Sequence, residues 1–235
     1  MGKTIAIVQS NYIPWKGYFD LMRQVDEFVL YDDVQYTRRD WRNRNRIKTP
    51  GGVKWLTIPV EVKGKYFQKI NETRIADPAW GRVHWDTIVK NYGRAPYFRE
   101  YQDRLESLYL SSSPQYLSDI NRKWLECVCE LLGIRTSLVW SMDYSPTTVD
   151  PTGRLVEICL KAEASTYVSG PAAKAYLDEA QFERVGVRVR FMEYDGYPAY
   201  PQLYPPFEHG VSILDLLLMV GPRAPEYLER VRHAA

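Results

Sequence analysis

Apolar residues first appear in short unbroken runs and only later at helical spacing. Residues 4–9 (TIAIVQ) and 27–32 (EFVLYD) are apolar runs of strand length. The stretch between them, 18–25, places Phe19, Leu21, Met22 and Val25 on one side of a short helix. A strand, a helix and a strand this close together predict a βαβ unit, so the strands are parallel and covered by helices.

Farther on, residues 54–62 and 65–75 alternate in the manner of strands. Turn residues around Gly64 separate them, which predicts a hairpin. Helical spacing governs 80–92, 97–110 and 113–132, with Pro96 and Pro114 near helix starts and Gly133 just past an end. A strand is expected at 135–141. Asp150-Pro151 supplies an N-cap and a first-turn proline for a helix over 152–162. Residues 165–170 read as a strand entering a Gly-Pro turn, and VRVRFMEY as a half-exposed strand. Ser212 opens the last helix, with Asp215 at capping-box spacing. The sum is an α/β protein: a Rossmann-like parallel sheet flanked by helices, with a β-hairpin elaboration and a helical middle segment. One domain over 1–235 is expected, in which residues 79–133 could form a helical subdomain.

Composition narrows the class. A formal charge of +2 argues against a dedicated nucleic-acid or membrane-surface protein. The first apolar run meets polar residues too soon for a signal peptide, and no run reaches membrane-span length. The odd trio Cys127, Cys129 and Cys159 lies in helical patterns, which suits reduced buried thiols and a cytoplasmic location. No His/Cys cluster has metal-ligand spacing. The sequence names no cofactor; a nucleotide or carrier-linked donor is compatible with it. The 18 Tyr and 7 Trp suit core packing and ligand walls alike.

Candidate chemistry gathers in the first third of the chain. In parallel α/β sheets ligands bind beyond the strands' carboxyl ends. The first such loop, QSNYIPWKGYF, carries Lys16 for an anion and Gly17 for close backbone approach, with helix amides starting near Tyr18. It is neither a Walker sequence nor GxGxxG, and aromatic turn packing is the alternative. Asp32 and Asp33 end the second strand. Extended chain alternates sides, so at most one of them shares a cleft with Gln35 and acts as a base or ligand for a hydroxyl. In residues 37–48, TRRDWRNRNRIK, six basic residues meet one Asp. Arg42, Arg44 and Arg46 are expected on one face, with Asn43 and Asn45 on the other. Arg forks would hold phosphate or carboxylate and the amides would hold sugar or amide groups; the alternative is a solvated loop. His84 is a lone helical histidine. Ser169-Gly170 with Lys174 forms a second strand-to-helix turn, and Gln202 lies in a Tyr/Pro-rich loop.

Together these stretches resemble the WbqC-like family of bacterial proteins: VQSNYIPWKGYF, DEFVLYDDVQYTRRDWRNRNRI, WLTIPV, HWDTIVKNYGRAPYF, TYVSGPAAKAYLD and YPQLYPPFEHGVSILDLLLMVG. The resemblance spans nearly the whole chain. It implies a cytoplasmic protein of surface-glycan, O-antigen or natural-product biosynthesis, commonly supposed to be a transferase. Carried onto this chain, it adds Gln9, Tyr12, Trp15 and Tyr18 to the ligand-binding candidates, and His84 to the motif positions. The opening strand, proline loop and helix also look similar to the nucleotidylyltransferase-like fold, but Trp15-Lys16-Gly17-Tyr18 stands where that fold carries HxGH, and both histidines are absent.

The function expected from these readings is acyl or aminoacyl transfer to an amino sugar or small amine, forming an amide or ester. Asp33 or His84 would accept the proton. Lys16, Tyr18 and the three arginines would hold an anionic small molecule, with Gln35, Asn43 and Asn45 orienting the acceptor. Expected partners include a carrier protein and a second copy of the chain, with no membrane. The alternatives are a nucleotidylyltransferase or ATP-dependent ligase, and an RNA- or tRNA-binding module.

Overall fold

The structure is a computed structural model that describes residues 2–111 and 115–229. β1 (Lys3–Val8), α1 (Lys16–Arg23) and β2 (Glu27–Leu30) form the expected βαβ unit, and β1 and β2 pair in parallel with Ile5 opposite Glu27. The other strands of this sheet are β5 (Ser137–Trp140), β6 (Ala164–Ser169) and β7 (Arg188–Phe191). All pairings are parallel, in the order β5-β2-β1-β6-β7.

The chain thus builds outward from β1 through β2 to β5, crosses back, and builds the other way through β6 to β7. The order reverses between β1 and β6.

Why the central strands read as continuous apolar runs is visible in their two faces. Ala6, Phe28, Leu30 and Val168 face one hydrophobic core, and Ile5, Ile7, Val29 and Tyr167 face a second. Successive side chains of a strand point to opposite faces, so a strand covered on both sides has no polar positions to show. α5 (Pro151–Lys161) and α6 (Glu179–Glu183) supply the second core through Val156, Ile158, Cys159 and Phe182. The larger core takes α1, α2 (Trp80–Tyr92), α3 (Phe98–Leu110), α4 (Leu117–Leu132) and α7 (Ile213–Val220). Truncating Ile5, which is wholly buried, to Ala should cost about 2–5 kcal/mol.

Four sequence expectations need correction. The hairpin is β3 (Arg44–Thr49) with β4 (Gly52–Thr57), turned at the Pro-Gly-Gly tract, where Gly52 has φ +100°. The run at 65–75 joins its neighbours only by isolated bridges such as Val60–Ile75. Much of the basic segment is therefore strand: alternation buries Asn45 and Ile47 against the core and leaves Arg44 and Arg46 partly exposed, Lys48 is buried with its ammonium on the Pro206 carbonyl, and this was masked by the charge density. Asp215 does not complete a capping box. Its buried carboxylate accepts from Tyr92 Oη (2.7 Å) and Gln202 Nε2 (2.8 Å), while Ser212 caps α7 through the Leu214 amide. The helix start expected at Ser113-Pro114 lies outside the described residues. No helix among the described residues is long and apolar enough to cross a membrane.

Candidate functional site: a cleft where the strand order reverses

A cavity of about 960 Å³ opens at the carboxyl edge of the sheet, over the ends of β1, β2 and β6. This is where the chain's path reverses, and outward-going connections on either side leave a crevice in such sheets. Gln9 follows β1, Asp33 and Gln35 follow β2, and Ser169-Gly170 end β6; all five line the cavity. α5 points its start at the same space. Asp150 caps it by accepting from the Gly153 amide (2.6 Å), and Pro151 and Arg154 line the wall.

Four charged side chains face the cavity: Asp33, Arg42, Lys69 and Arg154, with positive charge in excess. Arg154 donates to Asp33 Oδ2, and Ser141 Oγ donates to Asp33 Oδ1 (2.5 Å). Arg42 donates to Asn11 Oδ1 and pairs loosely with Asp40 (3.4 Å). Nε of Arg42 and Nε of Arg154 are buried without a partner in the structure. Two guanidinium groups and an ammonium lining one crevice with a single carboxylate are the chemistry that phosphate or carboxylate oxygens pair with.

The adjacent carboxylates part company. Asp32 is 0% exposed and accepts from the Ser10 amide (2.8 Å), Ser10 Oγ (2.6 Å) and Ser118 Oγ (2.6 Å). Burial pushes its pKa up and those bonds oppose the shift. Asn121 then links Ser10 Oγ to the Arg42 carbonyl (2.9 Å each), so Asp32 positions the loop that carries Arg42 and does not itself line the cleft.

The arginine strip is divided. Arg44 and Arg46 share a face with Trp55, their guanidinium carbons 4.1 and 5.9 Å from its ring centre, whereas Arg42 precedes β3 and turns into the cleft. The two-residue repeat holds only where the chain is extended, and extension begins at Arg44. Arg44 donates to the Arg39 carbonyl and lines neither cavity described here. Asn43 Nδ2 is sealed against the Ile58 carbonyl (2.7 Å), and Asn45 Nδ2 holds the Tyr12 carbonyl (3.1 Å).

The first proline-glycine turn does not join the cleft. A Cβ on Gly17 would lie 2.3 Å from the Trp15 ring, so the glycine admits an indole, not a ligand. Lys16 is buried, donates to the Pro198 carbonyl (2.9 Å) and lies over the Tyr197 and Tyr200 rings. Burial lowers its pKa to about 8. Tyr18 Oη donates to the Gln9 carbonyl (3.0 Å), bracing the cleft from behind. Tyr12 and His84 meet in the aromatic core, Oη to Nδ1 2.9 Å, and burial holds the imidazole pKa down to about 4. Lys174 is exposed over the Phe191 ring, and Gln202 serves the Asp215 network.

Arg154 and Lys69 are the charged cleft residues that sequence reading missed. Arg154 follows an Asp-Pro helix start after a strand, which is a signal available in the sequence; Lys69 is brought in by its bridge with Gln35 and has none.

Fold and crevice define a doubly wound α/β protein with a cleft at its topological switch point lined by three cationic side chains and one carboxylate. The chain belongs to the WbqC-like protein family, whose model matches residues 9–227. It is similar to the "Uncharacterized protein Rv1507c" of Mycobacterium tuberculosis (strain ATCC 25618 / H37Rv), 51% identical over 230 residues that cover 98% of this chain and 99% of the relative. No solved structure matches it.

Proposed function

We propose that the protein is a group-transfer enzyme that holds a phosphate-bearing donor in the switch-point cleft and passes an acyl or aminoacyl group to a small amine, such as an amino sugar. The observation that carries this reading is that Arg42, Lys69 and Arg154 line a single crevice together with one carboxylate, Asp33, to which Arg154 is paired. The cations hold the donor's phosphate, with the start of α5 adding its dipole. Asp33 accepts the proton as the amine nitrogen attacks the donor carbonyl. A C–N bond forms, and the bond from that carbon to the carrier sulfur or phosphate oxygen breaks, its electron pair leaving with the heteroatom. Gln9, Gln35 and Ser169 orient polar groups at the same edge. Such a role accords with a place in surface-glycan or natural-product biosynthesis.

Nucleotidylyl transfer is favoured as a second reading by one feature, the strand order, which in doubly wound sheets hosts nucleotides. Thermal stabilisation separates the two. Coenzyme A thioesters stabilising the wild type but not Arg154→Ala supports acyl transfer. ATP with magnesium alone doing so supports the second reading. Failure of every phosphate-bearing donor class to stabilise the protein rejects both.

A further inference from the structure

A second cavity of about 260 Å³ lies between the Pro14-Trp15 turn and the loop carrying Trp41. We propose that it is a separate ligand site for a small ring carrying a carboxylate on its edge. Two indoles form its walls. Trp15 is braced edge-on by Tyr194 and Tyr197, with ring centres 5.2 and 6.0 Å away, and Trp41 leans on Trp55 at 5.2 Å. Both tryptophans of the second pair remain about 40% exposed, Trp41 at 39% and Trp55 at 40%, unusual for side chains of that size. Trp15 and Trp41 both line the cavity, and indole surface accepts the apolar face of a ring.

The polar edge is Arg46. Its Nε donates to the Gly210 carbonyl (2.9 Å), and Nη2 has only a 4.0 Å ion pair with Glu208. A Cβ on residue 210 would fall 2.2 Å from that Nη2, so a glycine is what lets the guanidinium lie along the pocket rim. One fork of Arg46 thereby stays available for a carboxylate. Asn45 holds the floor, its Oδ1 accepting from the Arg46 amide (2.8 Å). Charge, two lining indoles and a small volume select a ring acid over an extended chain or a neutral sugar.

This site stands independently of the cleft reading, and its test is direct binding. Glucuronate and benzoate, titrated by calorimetry with ligand-observed NMR, separate a sugar acid from an aromatic one; glucose is the neutral control and pyrophosphate reads the cleft. Saturable binding of either acid, weakened about tenfold or more by Arg46→Gln while pyrophosphate binds as before, is the expected result. Gly210→Ala, which displaces Arg46 without removing it, should act in the same direction and serves if Arg46→Gln misfolds. The inference falls if neither acid binds the wild type, if glucose binds as well as glucuronate, or if both variants keep wild-type affinity. It falls equally if pyrophosphate is lost with the ring acid in both variants, because the two cavities would then not be separate sites.

Discussion

Arg154 donates to Asp33 across the carboxyl edge of the sheet, joining the first turn of α5 to the end of β2 over 121 residues of chain. Neither residue has that partner until the sheet is assembled, so the pair is a product of topology. The Arg154 side chain still keeps 21% of its surface exposed and lines the cleft, so part of its guanidinium faces a ligand there.

Removing that guanidinium should therefore affect binding more than folding. Arg154→Ala is expected to weaken a phosphate-bearing ligand by about 10- to 100-fold, the range of one charge-assisted hydrogen bond of about 1.5–3 kcal/mol. Calorimetry reads the affinity and a melting curve reads the fold. Arg44→Ala, whose side chain packs on Trp55 outside the cleft, should leave that affinity unchanged.

Asp33→Asn separates grip from chemistry. The amide cannot accept a proton but leaves Arg154 and Arg42 in place, so donor affinity should hold or tighten while turnover falls by about 10²-fold or more. A parallel loss of affinity and turnover would make Asp33 a positioning residue for Arg154.

The buried neighbour behaves differently. Asp32→Ala strips the acceptor from three buried donors of Ser10 and Ser118, and should lower stability by about 2–4 kcal/mol. Denaturant unfolding measures this. An unchanged midpoint would show that Asp32 does not anchor the Arg42 loop.

His84 gives a pH dependence whose sign is fixed by its burial. The folded state holds its pKa at about 4 against an ordinary 6.5, so the unfolded chain binds the proton more readily between those values. Its contribution is complete above pH 6.5 and is lost as pH falls toward 4, amounting to about 3 kcal/mol across the window. Burial raises the pKa of Asp32 and Asp215, and these groups work in the opposite direction. The observable is thus the difference between wild type and His84→Gln, which should shrink as pH drops from 6.5 to 4.

What was legible in the sequence followed from periodicity. β1, β2, β6 and β7 announce themselves as apolar or alternating runs, and Asp150-Pro151 marks the start of α5 within one residue. Gln9, Asp33, Gln35, Arg42, Ser169 and Gly170 were all singled out in the sequence and all meet in one cavity, because strand ends are where parallel sheets leave space. Lys16, Gly17, Tyr12 and His84 stand apart for reasons of packing that no local pattern carries: Trp15 folds over Gly17, and the Tyr12–His84 pair is buried by α2 and α3. Lys69 reached the cleft through a bridge with Gln35 that the sequence does not encode by spacing.

Titrating pyrophosphate into the wild type and the Arg42→Ala/Arg154→Ala double variant by calorimetry at low salt decides whether the switch-point cleft is an anion site. The cleft should bind pyrophosphate saturably in the wild type, and the double variant should lose about 100-fold or more in affinity with its melting transition retained. Equal affinity in the two proteins, or no binding to the wild type at millimolar concentration, would contradict it.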